Sequence, residues 1–142
     1  MKYLSKIGAV AFILWGVLHI VGGETIFFAL GSGPDEGFAV YRNHAGIYSP
    51  LAGAILGYLA FFLVAAGVVA TGVGIWLNWK NSLLGLTINT ILIGFTDLGL
   101  ALFLLLPGFV SIAHASIGFV LYLVGILACG IACQKEHGGK SA

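Results

Sequence analysis

The residues that could do chemistry are a few ionisable or hydroxyl-bearing side chains within or beside long apolar stretches. The candidates for ligand binding or proton relay are His19, Glu24, Arg42, His44, Asp97, His114 and Tyr122. Charged and imidazole side chains are costly inside a membrane, so they usually face the interior of a helix bundle and mark a functional site. No P-loop, Rossmann glycine motif, Ser-His-Asp arrangement or metal-binding cysteine pair accompanies them. The sequence therefore leaves open whether the protein is an enzyme.

Three of these residues come from separate apolar stretches and fall at a similar depth. At a rise of about 1.5 Å per residue, His19, Asp97 and His114 lie within roughly 8 Å of a common level. Each belongs to a helical stripe of small and polar residues at i, i+3 and i+4 spacing. The stripes are Trp15, His19 and Gly23; Thr90, Gly94, Asp97 and Ala101; and Ser111, His114, Gly118, Tyr122, Gly125 and Cys129. Glu24 is about 140° round a regular helix from His19, so it joins the cluster only if Gly22-Gly23 distorts the helix.

Three interpretations of this cluster stay open. Two imidazoles and a carboxylate suit zinc, iron or copper, so His19, Asp97 and His114 are a candidate metal site; two histidines on different helices also suit haem. The second interpretation is a proton, quinone or other ligand site. The third is a polar network that only locks the helices together, with Asp97 paired to a histidine or to Arg42. We favour ligand binding, because an ionised aspartate costs about 2.5–3.5 kcal/mol at a helix centre and an interhelical hydrogen bond returns about 0.6 kcal/mol.

Composition sets the environment in which these side chains must work. The chain has 142 residues, of which 60% are hydrophobic and 8% charged, and its mean hydropathy is +1.09. Soluble domains carry about a quarter charged residues. The composition therefore predicts one integral membrane domain over residues 1–142, with the lipid bilayer as its solvent. The net charge of +1 gives no indication of a nucleic-acid partner.

Four apolar stretches are long enough to cross a bilayer, which needs about 20 residues per helix. They cover roughly 7–30, 51–77, 83–106 and 109–133, with an outer loop at 31–50. Pro50 suits the first turn of a helix, and Pro107-Gly108 predicts a tight turn. The first stretch exceeds the roughly 7–15 apolar residues of a signal peptide, so we expect a retained span instead of a cleaved signal. The fold class predicted is all-α: an up-down-up-down bundle of four transmembrane helices.

The distribution of basic residues predicts the orientation of this bundle. Five lysines fall on one side, namely Lys2, Lys6, Lys80, Lys135 and Lys140, and only Arg42 falls on the other. The positive-inside rule then places both termini in the cytoplasm and the polar cluster in the outer half of the membrane. Small residues at four-residue spacing in the second span, including Ala66, Ala70 and Gly74, predict close packing within the bundle or a homodimer face. We also expect Asn89 and Thr96 to form interhelical hydrogen bonds.

Three segments resemble small bacterial four-span membrane proteins of unassigned function. They are Leu14-Trp15-Gly16-Val17-Leu18-His19, the turn Trp76-Leu77-Asn78-Trp79, and Asp97-Leu98-Gly99 running into Leu106-Pro107-Gly108. The resemblance implies the four-helix architecture and a bacterial inner membrane, and it carries no activity. Glu24 is also similar to the proton-coupling glutamate in the first span of small multidrug transporters. This chain departs from them in its greater length, its charge bias and the position of Glu24 near the outer edge.

Three classes of function are compatible with these features. The first is a membrane protein that binds a metal, haem, quinone or proton at the polar cluster. The second is a non-catalytic accessory subunit of a larger membrane complex. The third is a small-solute or proton-coupled transporter.

Overall fold

The computed structural model describes residues 2–31 and 50–138 of the chain. Over these ranges the chain forms helices and turns and no strand, which confirms the all-α prediction for this part. The helices are α1 (Lys2–Gly31), α2 (Pro50–Trp76), α3 (Leu83–Leu100) and α4 (Ile112–Gly138). A short 3₁₀ helix (Asn78–Lys80) connects α2 to α3, and a π-helical turn (Ala101–Leu105) extends α3.

The helix ends follow from a few residues with special backbone or capping properties. Pro50 begins α2, as expected for a residue without a backbone N–H. Ser82 caps α3, and its hydroxyl accepts the Gly85 backbone N–H at 3.4 Å. Gly108 ends the α3 segment with φ at 82°, a conformation that glycine adopts without strain. The Val110 N–H still bonds to the Leu104 carbonyl at 3.1 Å, so α4 begins at Ile112 and not near residue 109.

Neighbouring helices run antiparallel and form a four-cornered bundle. α1 packs along both α2 and α4, and α3 contacts α2 and α4 on the other side. Gly74, late in α2, lies against Ala9, early in α1, whereas Gly23, late in α1, lies against Ala60, early in α2. The helix order around the bundle is therefore α1, α2, α3, α4, with α1 and α3 at diagonal corners.

Small residues bring α1 and α2 into backbone contact. A Cβ atom added to Gly16 would lie 2.6 Å from the Gly67 carbonyl oxygen, and one added to Gly67 would lie 2.5 Å from the Gly16 carbonyl oxygen. Ala70 and Gly74 of the same α2 face are buried as well. The small residues of this face thus pack inside the bundle, the first of the two arrangements that the sequence left open.

The outside of the bundle is as apolar as its inside. Large side chains such as Phe95, Leu106 and Leu127 are well exposed, whereas the fully buried ones include the polar Asn78, Asn89 and Asp97. A surface of this kind is not stable in water. All four helices are long and apolar enough to cross a membrane.

The basic residues of the described ranges gather at one end of the bundle, which we call the lysine end. Lys6 Nζ lies 5.4 Å from the centre of the Trp79 ring, which joins the start of α1 to the turn after α2. Asn81, next to Lys80 in the same turn, hydrogen-bonds Glu136 near the end of α4. The opposite end contains the Pro107-Gly108 turn, and we call it the proline end.

Candidate functional site

A tryptophan connects Asp97 to the first helix. The Trp15 indole Nε1–H donates a hydrogen bond of 3.1 Å to Asp97 Oδ1, and both side chains are buried. Asp97 Oδ2 has no hydrogen-bond partner among the described residues. Trp15 belongs to the α1 stripe found in the sequence, but its role as the partner of Asp97 was not predicted. Of the two kinds of partner that the structural interpretation offered for Asp97, no histidine hydrogen-bonds it within the described residues, and Arg42 lies outside them.

The same tryptophan fixes His19 one helical turn later. The two rings stack with their centres 3.6 Å apart and an angle of 21° between their planes. His19 Nδ1 also lies 2.9 Å from the Trp15 backbone carbonyl oxygen, which can only accept, so Nδ1 is the donor. The imidazole is therefore held by a ring contact and a hydrogen bond at the same time.

Gly118 of α4 completes this cluster from a third helix. A Cβ atom built on Gly118 would lie 3.6 Å from Trp15 Nε1, 3.7 Å from His19 Cε1 and 3.8 Å from Asp97 Oδ1. All three groups thus lie around one point on α4, at ordinary van der Waals distance from it. The predicted convergence of the first, third and fourth helices holds for His19 and Asp97.

A cavity of about 690 Å³ extends from this cluster toward the proline end. It receives side chains from all four helices, and most of them are apolar. They are Leu18, His19, Gly22, Thr25 and Ile26; Leu59, Phe62, Leu63 and Ala66; Leu92, Phe95, Thr96, Gly99, Leu100, Phe103 and Leu104; and Val110, His114, Ala115 and Gly118. His19 and Gly118 lie at its inner end. Phe62, Phe95 and Phe103 also face the outside of the bundle, so within residues 2–31 and 50–138 the cavity is open at its side.

His114 lines this cavity at a different level from His19. It is exposed near the start of α4, and its Nδ1 lies 2.6 Å from Ser111 Oγ. The Ser111 hydroxyl also accepts the His114 backbone N–H at 3.4 Å and caps the helix. His114 is therefore part of the cavity wall and not of the buried Trp15–Asp97 cluster.

The three predicted metal ligands are not gathered into a ligand set. In residues 2–31 and 50–138, no group of three or more His, Cys, Asp or Glu side chains is placed to hold a metal ion. The physical reason is that Asp97 is buried beside the Trp15 indole and does not line the cavity, whereas His114 is exposed and bonded to Ser111. The geometry gives the metal prediction no support.

Two further candidates, Glu24 and Tyr122, do not line the cavity. Glu24 is exposed on α1, and the helix continues without interruption through Gly22-Gly23, so Glu24 stays off the His19 face. The Tyr122 hydroxyl donates to the Thr90 carbonyl oxygen at 3.0 Å and joins α4 to α3. Arg42 and His44 lie outside the described residues, and so does most of the predicted outer loop.

A second buried polar cluster lies toward the lysine end. Asn89 Nδ2 donates to the Ala70 carbonyl oxygen of α2 at 3.3 Å, which confirms the predicted interhelical hydrogen bond. The Asn89 and Asn78 side-chain amides also meet at 3.0 Å. Thr96, in contrast, donates to the Leu92 carbonyl oxygen of its own helix, so that prediction is wrong. This cluster holds α2 and α3 together and borders no part of the cavity.

No family model, curated protein or solved structure matches this chain. Two features of the structure bear on function: an apolar cavity of substantial volume, and an oriented imidazole at its inner end.

Proposed function

We propose that this protein is a multi-pass membrane protein that binds a lipid-soluble small molecule in the cavity. The observation that carries the proposal is the position of His19. Its ring is fixed by Trp15 and lines the inner end of a cavity of about 690 Å³ whose other walls are mostly apolar. Binding sites for small molecules are commonly clefts of about 300–1,000 Å³ with apolar walls and a few oriented polar groups.

The lipid bilayer is both the solvent of this protein and the source of its ligand. The apolar exterior and the length of the four helices support insertion, and the openings beside Phe62, Phe95 and Phe103 would face acyl chains. A ligand dissolved in the bilayer would then enter from the side, without crossing water. Quinones, quinols and long-chain alcohols, which combine an apolar body with a polar ring or head group, belong to this class.

The lysine end supports an orientation for the bundle. Lys6, Lys80 and Lys135 lie at the same end, and positive residues are retained on the cytoplasmic side. Both termini of the helical bundle are then cytoplasmic, and the resemblance to small four-span proteins favours a bacterial inner membrane. The cavity opens in the outer half of the membrane.

The ligand site is tested by filling the cavity. Gly99 lines the cavity, and a Cβ atom added there meets nothing within 4 Å, so Gly99→Phe adds a ring without a backbone clash. Gly130 has the same open surroundings, lies on α4 and does not line the cavity, so Gly130→Phe is the matched control. Binding of the probe para-pentylphenol is measured by saturation-transfer NMR, with each protein held in lipid nanodiscs.

We expect para-pentylphenol to bind the unmodified protein and Gly130→Phe equally. Gly99→Phe should weaken binding by about tenfold or more, which corresponds to about 1.4 kcal/mol. Equal signals from all three proteins would mean that the probe only partitions into lipid, and the proposal would fail.

A structural role in a larger membrane complex is the second candidate, favoured by the Trp15–Asp97 hydrogen bond. That bond joins two helices and would serve a scaffold as well as a binding site. In that case Gly99→Phe would leave probe binding unchanged, and replacing Asp97 would reduce stability alone.

A further inference from the structure

His19, which lines the inner end of the cavity, carries one ring nitrogen that can accept a hydrogen bond. Because His19 Nδ1 donates to the Trp15 carbonyl oxygen, the neutral ring carries its hydrogen on Nδ1 and a lone pair on Nε2. Nε2 makes no hydrogen bond to any residue in the part of the chain that the structure describes. A ligand that reaches Nε2 therefore meets a lone pair and not an N–H group.

Two contacts prevent the ring from exchanging its nitrogens. A flip about the ring axis would replace the Nδ1–H donor by a carbon atom and break the 2.9 Å hydrogen bond. The stacked indole of Trp15 covers one face of the imidazole, and Asp97 Oδ1 holds that indole by its Nε1–H. Asp97 is thus a positioning residue, which acts on the cavity through Trp15.

The two threonines of the cavity wall add to the same preference. Thr25 Oγ1 donates to the Val21 carbonyl oxygen, and Thr96 Oγ1 donates to the Leu92 carbonyl oxygen, each at 2.8 Å. Their hydrogens are used within their own helices, so each hydroxyl offers only oxygen lone pairs to a ligand. The His114 ring faces Ser111, which can donate or accept, so its tautomer is not fixed.

We propose that the cavity selects ligands that carry a hydroxyl group, such as a phenol, a hydroquinone or a long-chain alcohol, and that this hydroxyl donates to His19 Nε2. The proposal rests on the proposed function, because it assigns the ligand class of that same cavity. A ligand whose polar group is only an ether or a carbonyl would bring one lone pair against another and leave both unpaired in an apolar site.

The test compares two probes of nearly equal size, para-pentylphenol and its methyl ether para-pentylanisole. Both are titrated into nanodiscs at about pH 8, where an unperturbed imidazole is neutral. Each titration is repeated with Gly99→Phe to subtract partition into lipid, and with His19→Phe, which keeps an aromatic ring beside Trp15 but has no nitrogen.

We expect the unmodified protein to bind the phenol about tenfold more tightly than the ether, or about 1.4 kcal/mol. His19→Phe should bind both probes with similar affinity. If both probes bind the unmodified protein equally and Gly99→Phe displaces both, the cavity binds ligands but hydroxyl selection is refuted. If Gly99→Phe changes neither titration, the proposed function itself fails. The ratio of the affinities for the phenol and the ether in the unmodified protein tests hydroxyl selection even if His19→Phe does not fold.

Discussion

The Trp15 indole donates to Asp97 Oδ1 over 3.1 Å, between residues that are 82 positions apart in the chain. The two residues belong to α1 and α3, which occupy diagonal corners of the bundle, and the large tryptophan side chain reaches from one helix to the other. The His19 ring stacks on the same indole. A single side chain thus joins the buried carboxyl group to the wall of the cavity.

The first prediction concerns the chemistry of position 97. Asp97→Asn keeps an oxygen that can accept the Trp15 N–H, so we expect the free energy of unfolding to change by no more than about 1 kcal/mol. Asp97→Leu removes the acceptor and leaves a buried N–H unpaired, which should cost about 1–3 kcal/mol. The free energy of unfolding of both variants is measured by titrating sodium dodecyl sulfate into mixed micelles and monitoring tryptophan fluorescence. A leucine variant as stable as the unmodified protein would show that the hydrogen bond does not hold the helices.

The second prediction concerns the contact between α1 and α2. Gly16→Ala places a methyl group 2.6 Å from the Gly67 carbonyl oxygen, so the helices must separate, at a cost of about 1–3 kcal/mol. Gly22→Ala, on the same helix, is the control, because its added methyl group meets nothing within 4 Å. The control should be neutral or up to about 1 kcal/mol more stable, since alanine favours helix. Equal melting temperatures for the two variants in detergent would contradict the close contact.

The helices were the most predictable part of this structure. Apolar length alone located four of them, and Pro50 and Pro107-Gly108 marked their ends. The shared face of Trp15 and His19 was also visible, because a helical period of 3.6 residues relates them directly. Side-chain pairing was harder to predict. Sequence spacing shows that residues share one face of a helix, but it does not show which of their atoms form contacts.

Trp15 is the clearest example of a residue whose role could not be predicted from the sequence. Hydropathy treats tryptophan as apolar, although a buried indole N–H needs an acceptor. The signal that could have found the pair was a mid-span tryptophan on the same stripe as His19, opposite a carboxyl group. The cavity could not be predicted either, because it depends on how far the helices separate near Gly22 and Gly99.

The third prediction separates the other candidates from the cavity. Tyr122→Phe removes the hydrogen bond to Thr90 and should cost about 0.6 kcal/mol of stability, the average for such bonds in membranes. Glu24→Gln should leave stability and probe binding unchanged, because Glu24 is exposed and does not line the cavity. Neither variant should alter the affinity for para-pentylphenol in nanodiscs. A loss of about tenfold in either would place that residue in the binding site.

The fourth prediction concerns the proposed orientation of the bundle, tested with fusion proteins expressed in a bacterial host. A fluorescent protein fused after Ala142 should be bright, and alkaline phosphatase at the same point should be inactive, because the lysine end is expected in the cytoplasm. Alkaline phosphatase fused after Gly108, at the proline end, should be active. The reverse pattern would put the cavity in the cytoplasmic half of the membrane.

The most direct test of the central claim is to identify what the cavity holds in the cell. The protein and its Gly99→Phe and Gly130→Phe variants are purified in mild detergent, extracted with organic solvent and analysed by quantitative mass spectrometry. We predict that one lipid-soluble compound with a hydroxyl group accompanies the unmodified protein and Gly130→Phe in near-stoichiometric amount and is depleted from Gly99→Phe. Identical extracts from the three proteins, containing only bulk lipid and detergent, would contradict the account.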